Sequence, residues 1–168
     1  AAIVGALTNI AVDLSPNKLE AAMTFGATHV LNATRPDVVD EIKTLTAGRG
    51  ADYVFVATGS GAAMAVAPLL VRRGGTVVLV GMAPSGLKVE YEPLDIANDS
   101  IRLIGSKMGG ARLQTDIPTL LAHYRSGRLK LDELVSGCYP LEDINKAIDS
   151  VKRGEALRNV IVFCGEGV

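Results

Sequence analysis

Asp13 closes a short apolar run, Asn9 to Asp13 (NIAVD), and Lys18 follows it on the first turn of the next predicted helix. A carboxylate at a strand end can accept the protons of two neighbouring hydroxyls, such as the diol of a ribose, and a lysine stem can bring an ammonium to the same oxygens. The competing role for Asp13 is to cap the helix that begins near Ser15. Ser15 and Pro16 already suit the N-cap and first helical positions, which leaves the acid for a ligand. Two histidines, His29 and His123, have no acid or nucleophile arranged beside them by spacing, so both are read as structural or surface groups. Cys138 and Cys164 belong to no CxxC or Cys/His cluster and are read as two buried thiols, with no zinc site built from this chain alone.

The elements that must position these groups follow from periodicity. After Asp13 comes SPNKLEAAMTFGA, whose Leu19, Ala22, Met23 and Phe25 suit an amphipathic helix stopping at Gly26. THVLN predicts a strand, and Asp37 to Thr46 a helix with Val38, Val39, Ile42 and Leu45 on one face. Asp52 to Ala57 (DYVFVA) is a nearly continuous apolar strand, Ser60 to Val71 a small-residue helix, and Thr76 to Val80 (TVVLV) a strand entered through Gly74 and Gly75. Strands that read as buried on both faces imply a parallel sheet. Leu87 to Tyr91 alternates as a half-exposed strand and Ile101 to Ser106 reads as another. Helices follow at about Leu113 to Ser126 and Leu141 to Arg153, with a closing strand at Asn159 to Phe163. The expectation is one α/β domain over 1–168, a doubly wound parallel sheet of the Rossmann type that is incomplete at its N-terminal strand.

Composition narrows the partners. Seventeen basic against eighteen acidic side chains leave a net charge of -1, without the basic stripe a nucleic-acid backbone requires. No apolar run approaches the roughly 20 residues of a membrane helix, and no signal-peptide pattern opens the chain, so a cytoplasmic location is expected. Ligands of a doubly wound sheet bind outside the carboxyl ends of the strands, where Asp13 sits. Its charge would repel the extra phosphate of NADP, so NAD is the expected cofactor.

The motifs DLSPNKLEAAMTFGATHVLNA, ADYVFVATGS, VVLVGM and IGSKMGG, with the run from SGRLKLDEL through YPLEDINKAIDSVKRGEALRNVIVF, resemble the zinc-containing medium-chain alcohol dehydrogenases. The resemblance covers almost the whole chain and implies that family's cofactor domain with its C-terminal tail. It implies that Asp13 and Lys18 hold the adenosine ribose, that Val56 and Ala57 line the adenine and nicotinamide-ribose path, and that backbone groups at Val80 and Met82, either side of Gly81, bind the nicotinamide carboxamide. Met108 would complete that contact, with Gly109 and Gly110 letting the chain pass closely. Arg158 would reach the pyrophosphate with paired guanidinium donors.

The departure from the family lies at the start. The first strand and its GxGxxG turn are missing, and AAIVGA reads as the tail of the helix that follows them. That strand is central, and without it backbone groups would be unpaired at roughly 1 to 3 kcal/mol each. The residues are therefore expected to be part of a longer chain, unable to reach the native sheet alone. The resemblance further implies a catalytic domain, outside these residues, that supplies the Cys and His ligands of zinc. The expected function is hydride transfer between an alcohol and NAD, with no catalytic residue and no metal ligand in this chain, which would be inactive on its own. The alternative is a non-catalytic fragment serving as an oligomerisation or binding module. In either case a homo-oligomer, dimer or tetramer, is expected through the edge near Leu87 to Tyr91 and Ile101 to Ser106.

Overall fold

The computed structural model describes residues 1–163. It divides into two compact units, one formed by Ala1–Thr34 with the chain from Leu113 onward, the other by Arg35–Arg112. Every ladder is parallel, and among the described residues the strands form three sheets, as expected of an α/β chain.

In the first unit, a 3-10 turn at Ala2–Val4 ends at Gly5 and leads to β1 (Ile10–Asp13), α1 (Pro16–Thr24) and β2 (His29–Asn32). β1 pairs with β2 from Ile10 opposite His29 to Asp13 opposite Asn32. Polar side chains fix both ends of this pair. At the entry, the Asn9 amide donates to Thr28 Oγ1 at 2.9 Å, the Thr28 hydroxyl donates back to the Asn9 carbonyl at 3.0 Å, and Asn9 Nδ2 donates to the Gly26 carbonyl. At the exit, Asn32 Nδ2 donates to the Leu14 carbonyl, and the Ala33 amide donates to the Asp13 carbonyl at 3.0 Å. Leu19 and Leu31 are the buried apolar residues of this part.

The second unit holds α2 (Val38–Leu45), β3 (Ala51–Val56), α3 (Gly61–Leu70), β4 (Val71–Leu79), α4 (Pro93–Asn98) and β5 (Arg102–Gly105), with sheet order β3-β4-β5. Its core joins Val56, Met64, Ala67, Val71 and Val77, the last with no exposure at all. Small residues on α3 allow that helix close to the sheet, and Met64 fills the remaining space. Between the paired residues Val71 and Thr76 the chain bows out, and there Arg72 Nε meets Asp52 Oδ1 at 2.5 Å. The Arg72 guanidinium, chiefly by hydrogen bonding, holds the Asp52 carboxyl below the usual carboxylate range.

The first unit resumes with α5 (Leu113–Arg125), β6 (Val135–Pro140), α6 (Ile144–Lys152) and β7 (Arg158–Val162), β6 pairing with β7. Four sequence expectations change. Leu87 to Tyr91 forms no strand: Leu87 lies over Gly61, Val89 packs on the core, and the Tyr91 hydroxyl donates to the Met64 carbonyl at 3.3 Å. Its alternation therefore records contact with α3 rather than a ladder. Asp52 to Ala57 is not buried on both faces, since Tyr53 and Phe55, each 61% exposed, stack on the face opposite the core. Strand β6 was not anticipated, because Ser136, Gly137 and Pro140 dilute its apolar pattern and its register shifts between Val135 and Gly137. The last strand pairs with this β6 instead of closing the larger sheet.

Two stability outcomes are expected in the intact protein. Met64→Ala should cost about 2 to 5 kcal/mol in denaturant unfolding, because it empties a filled core site. Arg72→Ala should cost roughly 0.2 to 1 kcal/mol near neutrality, as for solvent-screened pairs. Because the Asp52 pKa is depressed in the fold, that stabilisation is present above the ordinary carboxylate pKa and lost as acid protonates Asp52, so the two melting curves should converge at low pH.

Candidate functional site

Asp13 occupies the last position of β1, half-buried. Its Oδ1 accepts from the Ser15 amide at 2.9 Å, a local turn that carries the chain from β1 into α1. Ser15 stands at the N-cap but its hydroxyl makes no capping bond, and Asp13 contributes to the helix entry by holding the Ser15 amide. Among the described residues Asp13 Oδ2 has no hydrogen-bond partner. One oxygen thus shapes the loop while the other can accept from a ligand hydroxyl.

Lys18 lies in the first turn of α1, half-buried and in no ion pair among the described residues. Arg158 opens β7, opposite Val135, with an exposed side chain that likewise has no acidic partner there. Its amide, with that of Leu157, donates to Ser136 Oγ, so the short residue of the neighbouring strand fixes the backbone from which the guanidinium extends. Both cations are chemically free to meet phosphate or ribose oxygens.

In the second unit the other candidate residues gather at the carboxyl ends of β3 and β4. The Val56 side chain is 5% exposed in the core, and its carbonyl accepts from the Val80 and Gly81 amides at 3.0 and 2.8 Å. That carbonyl fixes the exit of β4 from beneath, and the exposed Ala57 is the first side chain past β3. The Ser106 amide donates to the Leu79 carbonyl at 2.9 Å. Among the described residues, no hydrogen bond engages the Val80 carbonyl or either backbone group of Met82. A carbonyl and an amide left open with one residue between them form a suitable pair for a primary carboxamide, which both donates and accepts. Met108 has a positive φ of 52° and starts a 3-10 turn through Gly110, with its side chain 76% exposed.

Thr58 and Gly59, absent from the expected site, follow Ala57 and lie against Gly81 and Met82. The signal was present in the ATGS motif after β3 but was absorbed into the general pattern. His29 Nδ1 pairs with Thr28 Oγ1 at 2.9 Å at the entry of β2, and the His123 carbonyl accepts the Arg128 amide; neither ring meets an acid. Cys138 is exposed on β6 rather than buried, because side chains alternate across this two-stranded ladder, and Cys164 lies outside the described residues. No group of three or more His, Cys, Asp or Glu side chains among the described residues could hold a metal ion. The described residues therefore do not fit a zinc site. No described helix is long and apolar enough to cross a membrane.

The zinc-binding dehydrogenase family pattern matches residues 1–126. The chain belongs to that family. Alcohol dehydrogenase class-3 of Cereibacter sphaeroides is 34% identical over 96% of this chain, which spans 45% of that relative's length. An alcohol dehydrogenase zinc-binding domain protein from Burkholderia ambifaria superposes with a TM-score of 0.92 at 35% identity, covering 98% of this chain and 44% of that one. A putative zinc-binding dehydrogenase from Sinorhizobium meliloti bound to NADP superposes with a TM-score of 0.79 at 27% identity, over 98% and 47% of the two chains. This chain thus spans about half the length of its zinc-binding dehydrogenase relatives and matches their Rossmann-type portion.

The turn bond of Asp13 yields a stability test in this zinc-binding dehydrogenase. Asp13→Asn keeps an oxygen for the Ser15 amide and should leave the unfolding midpoint of the intact protein nearly unchanged. Asp13→Ala strands that donor and should cost about 1 kcal/mol.

Proposed function

We propose that this chain holds NAD in a zinc-type alcohol dehydrogenase, with Asp13 and Lys18 at the adenosine ribose and Arg158 at the pyrophosphate. Ala57, Met108 and the open backbone groups of Val80 and Met82, set by Val56 and Gly81, serve the nicotinamide end. When bound, the nicotinamide supplies the hydride acceptor for an alcohol carbon. The observation that carries this reading is Asp13 Oδ2, an unshared carboxylate oxygen at the end of the strand where a doubly wound sheet receives its ligand. The residues of this chain bind and orient; the alcohol and any zinc belong to parts of the protein beyond them.

Because a relative carries NADP, the choice between cofactors is a real one, and the charge of Asp13 favours NAD. Subunit pairing is proposed through the edge near Leu87 to Tyr91 and Ile101 to Ser106, where β5 is the end strand of its sheet and Ile104 is 48% exposed.

Calorimetric titration of the intact protein tests the cofactor assignment. Asp13→Asn should weaken NAD about tenfold, the scale of one charge-assisted hydrogen bond, while NADP is unchanged or improved. Equal losses for both cofactors would contradict the ribose role.

A further inference from the structure

The loops that leave β3 and β4 cross backbone against backbone, and each crosses at a glycine. A Cβ built on Gly59 would stand 2.5 Å from the Met82 carbonyl oxygen and 3.4 Å from the Ala83 Cα. A Cβ on Gly81 would collide with the Thr58 carbonyl and amide. These obstacles are main-chain atoms, which a rotamer change cannot move aside. By contrast, the nearest atoms to a Cβ on Gly61, two residues further along, would belong to the Leu87 side chain, at 3.3 Å. The crossing is therefore local to Thr58–Gly59 and Gly81–Met82, and it holds from both sides. Beneath it, the Val56 carbonyl draws in the Val80 and Gly81 amides together. The Met82 carbonyl that Gly59 touches belongs to the residue whose backbone groups are unengaged.

The geometry points to Gly59 as a positioning residue: its missing side chain lets the β3 loop hold the Met82 backbone in the orientation that receives the nicotinamide carboxamide. This rests on the NAD reading above. Gly59 itself touches no cofactor in this account; it acts through Met82.

ADP-ribose, which lacks the nicotinamide, separates the two ideas in calorimetric titrations of the intact protein. Wild type should bind both NAD and ADP-ribose, and Gly61→Ala should leave both affinities unaltered. Gly59→Ala should weaken NAD about tenfold, one net hydrogen bond's contribution, while ADP-ribose stays within about twofold. Thr58→Gly loosens the same crossing without adding an atom, and stands in should Gly59→Ala fail to fold. It should give the same split at about threefold, the scale of one residue's added backbone freedom. Variants that lose NAD and ADP-ribose alike, or lose neither, overturn the positioning role. Wild type that binds neither compound overturns the NAD reading itself.

Discussion

The Val56 carbonyl accepts from two successive amides, Val80 and Gly81, and the strand ends of the second unit depend on that shared acceptor. A regular parallel ladder gives each carbonyl one inter-strand donor, spaced evenly along the strands. Engaging two at the last position pulls the exit of β4 towards β3, so the following loops must either collide or cross without side chains. Glycines at 59 and 81 permit the crossing. The buried Val56 side chain anchors the acceptor, since it packs with Met64, Ala67 and Val77. Core packing and the backbone of the two strand exits are in this way joined through a single residue.

The first unit solves the same problem by other means. At the end of β1, polar side chains rather than core packing fix the exit: Asn32 holds the Leu14 carbonyl, and Asp13 holds the Ser15 amide. The Asn32 side-chain oxygen also accepts from the Thr34 amide and hydroxyl, at 2.9 and 2.7 Å, so both strand exits are tied to one amide group. Such local side-chain bonds substitute for a ladder where the backbone must leave the sheet.

What could be read from the sequence divides along physical lines. The β1-α1-β2 segment was legible to within a residue or two because Ser15, Pro16 and Gly26 mark helix limits that depend on local geometry alone. The ladder residues Thr76 to Leu79 were legible because a run buried on both faces has one common explanation. Leu87 to Tyr91 misled because alternation reports only which side chains meet apolar surface, and the surface here was α3. Strand β6 was hidden because its ladder with β7 is a non-local pairing that Gly137 and Pro140 do not advertise. Among the candidate site residues, the positions past each strand end could be named in advance. Which of them bury their side chains could not, since Val56 sits in the core with its carbonyl held by the Val80 and Gly81 amides.

Asp13 carries this last point furthest. A glutamate would preserve the charge, yet its carboxylate lies one methylene further from the backbone, beyond the short reach that closes a turn onto the amide two residues on. An asparagine would preserve the turn and lose the charge. Only aspartate supplies a turn acceptor with one oxygen and a charged ligand acceptor with the other. Under the proposed ribose role of Asp13, cofactor preference and loop geometry are coupled at one side chain. A change of preference towards NADP requires more than removing a negative charge: the replacement must also satisfy the Ser15 amide, or the start of α1, which carries Lys18, shifts with it.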